Sequence, residues 1–220
     1  ISDQGEDKIL YNEETGIGLN TEILEREDYK TYLKEEYGIE DISNYKEIRT
    51  MELGHIFQLG TRYSEMMNGK YINQEGKEAL YYMGCYGIGV SRTLAALYEQ
   101  CLIKDEKWGP CGFSLPFRIA PFKLQIIPKL EDKTKMEMAE EIMKRLEMVG
   151  YGVIIDDREN ISIGAKIKDA KILGTPYVLV LGDKQQGDTI EIENVKTGEK
   201  EQTTADKIFE FFLNKSFSSE

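Results

Sequence analysis

Met83-Gly84-Cys85-Tyr86-Gly87-Ile88-Gly89-Val90-Ser91-Arg92 sets three glycines and then an arginine where a strand-like run, Ala79 to Met83, gives way to a helix-like one, Leu94 to Leu102. Gly84, Gly87 and Gly89 have no Cβ, so the backbone there can lie against a flat ring or a phosphate chain that a larger residue would push away. Arg92 falls in the first turn of the helix, where the dipole disfavours a cation unless an anion neutralises it. An anionic ligand is the simplest compensation, and the junction reads as a candidate nucleotide site. The spacing Gly87-x-Gly89-x-x-Arg92 also overlaps half of a dinucleotide fingerprint, but arginine replaces its third glycine and no well-placed acidic residue follows about 20 residues on. A P-loop is excluded, since no Gly-Lys-Ser/Thr follows the turn. A glycine-packed corner with a surface arginine accounts for the same residues without a ligand and stays open on this segment alone.

Working outward, the chain has 220 residues, 40% of them hydrophobic, which allows two units with real cores. Cys85, Cys101 and Cys111 form no Cys-x-x-Cys pair and there is one histidine, so no zinc site is expected and a reducing cytoplasm suits the chain. No apolar stretch approaches the roughly 20 residues that span a bilayer, and the start does not read as a signal peptide. A soluble, cytoplasmic protein is expected. The net charge of −12 opposes nonspecific binding to RNA phosphates. Its distribution softens the objection: residues 1 to 50 hold 14 acidic against 6 basic side chains, and the remainder is nearly balanced.

The pattern from Ile23 to Tyr45 is polar, with Tyr29, Tyr32, Leu33 and Tyr37 at helical intervals, which predicts a solvated helical spacer. Arg49 to Leu59 and Ala79 to Met83 read as strands, with a turn at residues 73–77. Val90 to Leu102 places apolar residues on one face, an amphipathic helix against a sheet. Lys104 to Phe117, rich in Gly and Pro, breaks both periodicities and joins two units. Beyond it come strand Lys123 to Ile127, helix Lys133 to Val149 ended by Gly150, strand Gly152 to Asp156, helix Ala165 to Leu173 and strand Tyr177 to Leu181. A hairpin beginning Thr189 to Val195, a helix Ala205 to Leu213 and a frayed Ser216 to Glu220 follow. The alternation predicts a three-layer α/β domain after a unit with antiparallel strands.

Upstream stands Glu52-Leu53-Gly54-His55-Ile56-Phe57-Gln58-Leu59-Gly60-Thr61-Arg62-Tyr63-Ser64. Together the two segments closely resemble bacterial-type prolyl-tRNA synthetase: Gly54 to Gly60 resembles that family's proline-pocket strand, and Gly84 to Arg92 its version of class II motif 3. Ile119-Ala120-Pro121-Phe122, Asp156-Asp157-Arg158 and Gly174-Thr175-Pro176-Tyr177 resemble its anticodon-binding domain, in the same order. The resemblance implies that residues 1–110 are the C-terminal half of a class II catalytic domain with an antiparallel sheet, and 119–220 the α/β anticodon-binding domain. Residues 5 to 24 resemble the stretch after motif 2, while motifs 1 and 2 are absent, so this chain alone is expected to be inactive. Glu25 to Leu53 stand where the family usually carries an editing domain, and about thirty residues are too few for one.

The resemblance also implies roles. Gly84, Gly87, Gly89 and Arg92 would bind ATP, with Arg92 on the γ-phosphate; its rigid fork suits a tetrahedral oxyanion. His55, Glu52 and Cys85 would line the proline pocket. On residue type alone, His55 is a packing residue on an alternating strand, and Glu52 faces either the substrate ammonium or solvent. Cys85 would be a small wall, although size alone excludes alanine by only ~1–3 kcal/mol. Arg158 and Lys166 are candidates for stacking on or hydrogen bonding to unpaired anticodon guanines, and a solvated loop with an ion pair explains them equally on residue type. Ser162-Ile163-Gly164-Ala165-Lys166 lacks the proline this loop usually has in the family. Mg2+ would arrive with ATP, with no dedicated metal site here, and tRNA(Pro), proline and a second subunit in a homodimer are the implied partners. The rival reading is a noncatalytic, synthetase-like RNA-binding or regulatory protein.

Overall fold

The structure, a computed structural model, describes residues 1–105, 109–183, 185 and 187–217. The chain divides into two units, Ile1–Ala96 and Leu97–Glu220.

The first unit contains β1 (Asp7–Tyr11), β2 (Gly18–Asn20), α1 (Tyr29–Tyr37), β3 (Lys46–Thr50), β4 (Gly54–Gly60), α2 (Arg62–Met66), β5 (Lys70–Ile72), β6 (Glu78–Leu80), β7 (Met83–Ile88) and most of α3 (Val90–Gln100). All its strand pairs are antiparallel: β2-β1-β3, β4-β7 and β5-β6. The Arg49 to Leu59 strand is thus two strands, β3 and β4, belonging to different ladders. The expected strand Ala79 to Met83 is split: Ala79 and Leu80 close β6, and Met83 opens β7, which runs through Gly84 and Gly87 because a backbone ladder to β4 needs no side chains. The predicted spacer contains α1, which ends at Gly38 in the left-handed region (φ 68). Asn73 makes the predicted turn, its Oδ1 accepting from the Glu75 and Lys77 amides.

Apolar burial in this unit is sparse: among its described residues only Leu19 and Leu33 are buried hydrophobics. On the β4–β7 ladder, Ile56, Tyr86 and Ile88 are 67%, 76% and 78% exposed. Both faces of that ladder are open.

The second unit contains β8 (Leu102–Asp105), β9 (Gly109–Phe113), β10 (Leu124–Pro128), α4 (Lys133–Glu147), β11 (Val153–Ile155), α5 (Ile163–Leu173), β12 (Tyr177–Leu181), β13 (Thr189–Asn194), β14 (Lys200–Thr204) and α6 (Ile208–Phe217). β8 and β9 pair as an antiparallel hairpin, so Lys104 to Phe117 is largely folded within this unit; residues 106–108 lie outside the described residues. The five-stranded sheet has the order β11-β10-β12-β13-β14. β10 is parallel to β11 and β12, and β12-β13-β14 are antiparallel.

Period-two alternation sends Leu124 and Ile126, with Tyr177, Leu179 and Leu181, to a face covered by Ile142 and Leu146 of α4 and Ile208 and Phe212 of α6. The opposite side sends Ile127 and Val178 against Ala170 of α5. These are the three predicted layers. The helices are capped by the residues that bound them: Asp132 accepts from Thr134 N at α4, and Ser162 from Ala165 N at α5. Gly150 (φ 82) turns the chain out after α4. Ser216 belongs to α6; of the expected frayed end, 218–220 lie outside the described residues.

Candidate functional site

In the β4–β7 ladder His55 is opposite Gly87 and Phe57 opposite Cys85. Directly opposed residues point to the same side, and so do residues two apart. His55, Phe57, Cys85 and Gly87 therefore share one face. The His55 and Phe57 rings stack, with centroids 3.9 Å apart and planes at 22°. Gly54, Ile56 and Gln58 face Ile88, Tyr86 and Gly84 on the other side. The structure thus separates Gly84 from Gly87.

The glycines are there for different reasons. A Cβ on Gly54 would lie 2.9 Å from the Gly87 carbonyl oxygen, so strand approach itself excludes a side chain. A Cβ on Gly89 would stand 3.4 Å from Cβ and Cδ of Arg92, in tight contact with that side chain. At Gly87 a Cβ meets nothing within 4 Å.

Gly89 closes the ladder, its amide donating to Leu53 O at 2.8 Å, and α3 starts at the next residue. Arg92, in that first turn, donates from Nη1 to Glu52 O and Oε2, both at 3.3 Å. Glu52 Oε1 is 2.7 Å from His55 Nδ1. Glu52, itself exposed, thus bridges Arg92 and His55. The hydrogen bond with His55, then the charges of His55 and Arg92, hold the Glu52 carboxyl below the usual carboxylate range. This corrects one sequence inference: the cation at the helix start is balanced by Glu52, with no ligand anion required. Arg92 lines a hollow of about 230 Å³ together with Gln4, Glu6, Asp7, Glu52 and Ser91. Cys85 is exposed and free. Among the described residues, no group of three or more His, Cys, Asp or Glu side chains could hold a metal ion.

The second site lies where β11 ends. Arg158 grips Asp156 with a two-point fork, Nε to Oδ1 at 2.9 Å and Nη2 to Oδ2 at 2.7 Å, and also donates from Nη2 to Asp169 at 2.6 Å. These bonds push the guanidinium pKa up and hold the Asp156 carboxyl down. Arg158 borders a hollow of about 440 Å³ with Asp156, Asp169, Ile155, Ile172 and Leu173. Lys166 requires correction as a surface contact: it is 3% exposed, and its Nζ donates to Asp156 O at 2.9 Å and pairs with Oδ1 at 3.7 Å. Its neighbour on α5, Ala170, is in the core, so that helix face is turned inward.

The sequence reading missed Phe57, Asp169 and Gln125. Phe57 had a signal, two residues from His55 on an alternating strand. Gln125 also had one, as the lone polar residue in the run Leu124 to Ile127. It is 2% exposed and donates from Nε2 to Asp156 Oδ2 at 3.2 Å and Lys166 O at 3.1 Å. Asp169 needed the helical face of α5 to be known.

Comparison with known proteins fits this two-part arrangement. Residues 16–101 match the tRNA synthetase class II core domain (G, H, P, S and T), and 123–215 match the anticodon binding domain. The chain belongs to the class II aminoacyl-tRNA synthetases. Its relatives are more particular: the proline–tRNA ligase of Aquifex aeolicus is 44% identical over 168 residues, those of Bacillus cereus strain B4264 and Caldicellulosiruptor saccharolyticus 39% and 38% over 167. Each alignment covers 76% of this chain and 28% of the relative, so the chain spans under a third of their length. The fold is also that of a prolyl-tRNA synthetase from Cryptosporidium parvum, solved with L-proline and AMP. The TM-score is 0.63 at 17% identity, covering 77% of this chain and 34% of that one. Among the described residues no helix is long and apolar enough to cross a membrane.

Proposed function

We propose that this chain supplies the motif 3 half of the catalytic core, residues 1–110, and the anticodon-binding domain, residues 119–220, of a cytoplasmic, homodimeric proline–tRNA ligase. The reaction is ATP-dependent: the proline carboxylate attacks the α-phosphate to give prolyl-adenylate and pyrophosphate, and a terminal ribose hydroxyl of tRNA(Pro) then takes the prolyl group. Positioning and charge stabilisation carry such a rate. The face shared by His55 and Gly87 is the observation that carries this reading, because it sets an imidazole beside a bare stretch of backbone at the edge where Arg92 emerges. A nucleobase and ribose would settle on Gly87, with Arg92 turned from Glu52 to the γ-phosphate. Proline would pack near His55 and Cys85, with Glu52 orienting the imidazole. Mg2+ would enter with the nucleotide. Arg158 would meet the anticodon.

The relatives' identity supports proline as the amino acid. The short segment 25–53 supports the absence of an editing domain, which leaves alanine mischarging to other factors. The acidic lining of the Arg92 hollow, Glu6, Asp7 and Glu52, opposes a bound triphosphate and so favours the noncatalytic side of the rival reading. One experiment separates them: Arg92→Ala in an enzyme with a complete catalytic core should abolish proline-dependent ATP–pyrophosphate exchange. Near-normal exchange rejects the catalytic role of Arg92.

A further inference from the structure

Asp156, Lys166 and Gln125 are 5%, 3% and 2% exposed, at a place where β10 and α5 otherwise bury apolar side chains. A buried lysine in the first turn of a helix suffers twice, from desolvation and from the dipole. Its compensation is Asp156: the ammonium donates to the carbonyl oxygen of that residue and stands 3.7 Å from its carboxylate. The carboxylate spends its own oxygens on Arg158, and Gln125 Nε2 fills a remaining site on Oδ2. The amide orientation of Gln125 is fixed, since the reverse would press its oxygen against a carboxylate and the Lys166 carbonyl. Thus Arg158, half-exposed like its second partner Asp169, is held by a fork whose anchor, Asp156, is internal.

We infer that Lys166 is a positioning residue for RNA recognition: its buried ammonium keeps Asp156 in the form that locks the Arg158 fork. The inference rests on the reading of Arg158 as an anticodon contact. The charged groups facing Asp156 are Arg158 from its own loop and Lys166 from α5, with Asp169 of α5 acting through Arg158. Gln125 faces it from β10 as a neutral donor. Replacing Lys166 by methionine keeps the aliphatic stem and removes one of two cations from a desolvated carboxyl. The Arg158 hydrogen bonds and then the Lys166 charge hold the Asp156 carboxyl down, so loss of the ammonium makes Asp156 easier to protonate. A protonated Asp156 accepts one fewer hydrogen bond and releases one arm of the fork.

The test uses the 220-residue chain and a tRNA(Pro) anticodon stem-loop, with a loop-scrambled stem-loop as reference, titrated by fluorescence anisotropy between pH 5 and pH 8. Arg158→Ala tests the underlying reading: it should erase the preference for the correct loop, and an unchanged preference sinks that reading without touching Lys166. Lys166→Met should lose more affinity at pH 5 than at pH 8 relative to the unaltered chain, because its Asp156 carboxyl is the easier to protonate. The Asp156 carboxyl, followed by carbon NMR, should titrate at a higher pH than in the unaltered chain. If removal of one partner unfolds the domain, Asp156→Asn/Lys166→Met removes both charges. That pair should fold and bind the correct loop weakly at every pH. A Lys166→Met profile parallel to that of the unaltered chain, or a double variant that binds as tightly as it does, overturns the inference and leaves Lys166 a packing residue.

Discussion

Gly87→Val separates a glycine kept for the chain from a glycine kept for a ligand. A Cβ at this position meets nothing within 4 Å, and Gly87 is not among the residues with positive φ. The fold therefore asks for no glycine here. A glycine inside a strand costs roughly 0.5–1 kcal/mol against a residue with a side chain, and valine favours strands. The substitution should leave stability unchanged or raise it by up to about 1 kcal/mol. The ligand side is the opposite. A ring packed on the backbone sits at about 3.5–4 Å, and the valine methyls would fill that space on the face shared with His55. Overpacking of this kind costs about 1–3 kcal/mol, or roughly 5- to 150-fold in kcat/KM for ATP. Thermal denaturation of this chain reads the first quantity, and ATP–pyrophosphate exchange by an enzyme with a complete core reads the second. A variant that is destabilised while retaining its KM for ATP would refute the reasoning.

Glu52→Gln should lower the KM for ATP and raise that for proline, each by no more than about fivefold, since exposed ion pairs contribute little; steady-state exchange kinetics check both directions. Asp156 has a depressed carboxyl pKa, so its contribution is present above the unfolded value near 3.9 and lost as the pH falls through the lower folded one. Asp156→Asn should therefore destabilise the chain by about 3 kcal/mol at pH 7, with the gap closing below about pH 4 in urea titrations. Phe212, fully buried and stacked on Phe117 at 5.6 Å, should cost about 3–5 kcal/mol on replacement by alanine, read from the denaturation midpoint. Hydrogen exchange should be fast in β4 and β7 and slow in β10 and β12, because only the latter pair is covered on both faces.

Much of the second unit was legible because its residues agree at every level. Tyr177 to Leu181 is an apolar run bounded by Pro176 and Gly182, and it is β12 without a residue's difference. Asp132 and Gly150 mark the start and turn of α4 as their chemistry requires. β7 was harder. Its two glycines, Gly84 and Gly87, carry low strand propensity, and pairing with β4 makes them a strand. The candidate site followed the same division. Arg92, His55 and Glu52 could be named from their segments, yet the bridge that Glu52 makes between the other two depends on how the chain turns at residues 51–53. The burial of Lys166 was invisible for a related reason. A lysine in a helix reads as solvated until a partner such as Asp156 is found inside, and that pairing joins residues from two elements.

The β1–β3 ladder, matched from Asp7↔Thr50 to Tyr11↔Lys46, works as a clasp: whatever is strung between Tyr11 and Lys46 departs and returns one strand spacing apart. Lengthening a flexible excursion costs only about 0.6 kcal/mol per doubling, so an eightfold longer one costs about 2 kcal/mol. That is within what one well-buried leucine supplies. Modules can thus be gained or shed at this point over evolutionary time, or grafted there by design, while the strands beneath keep their register.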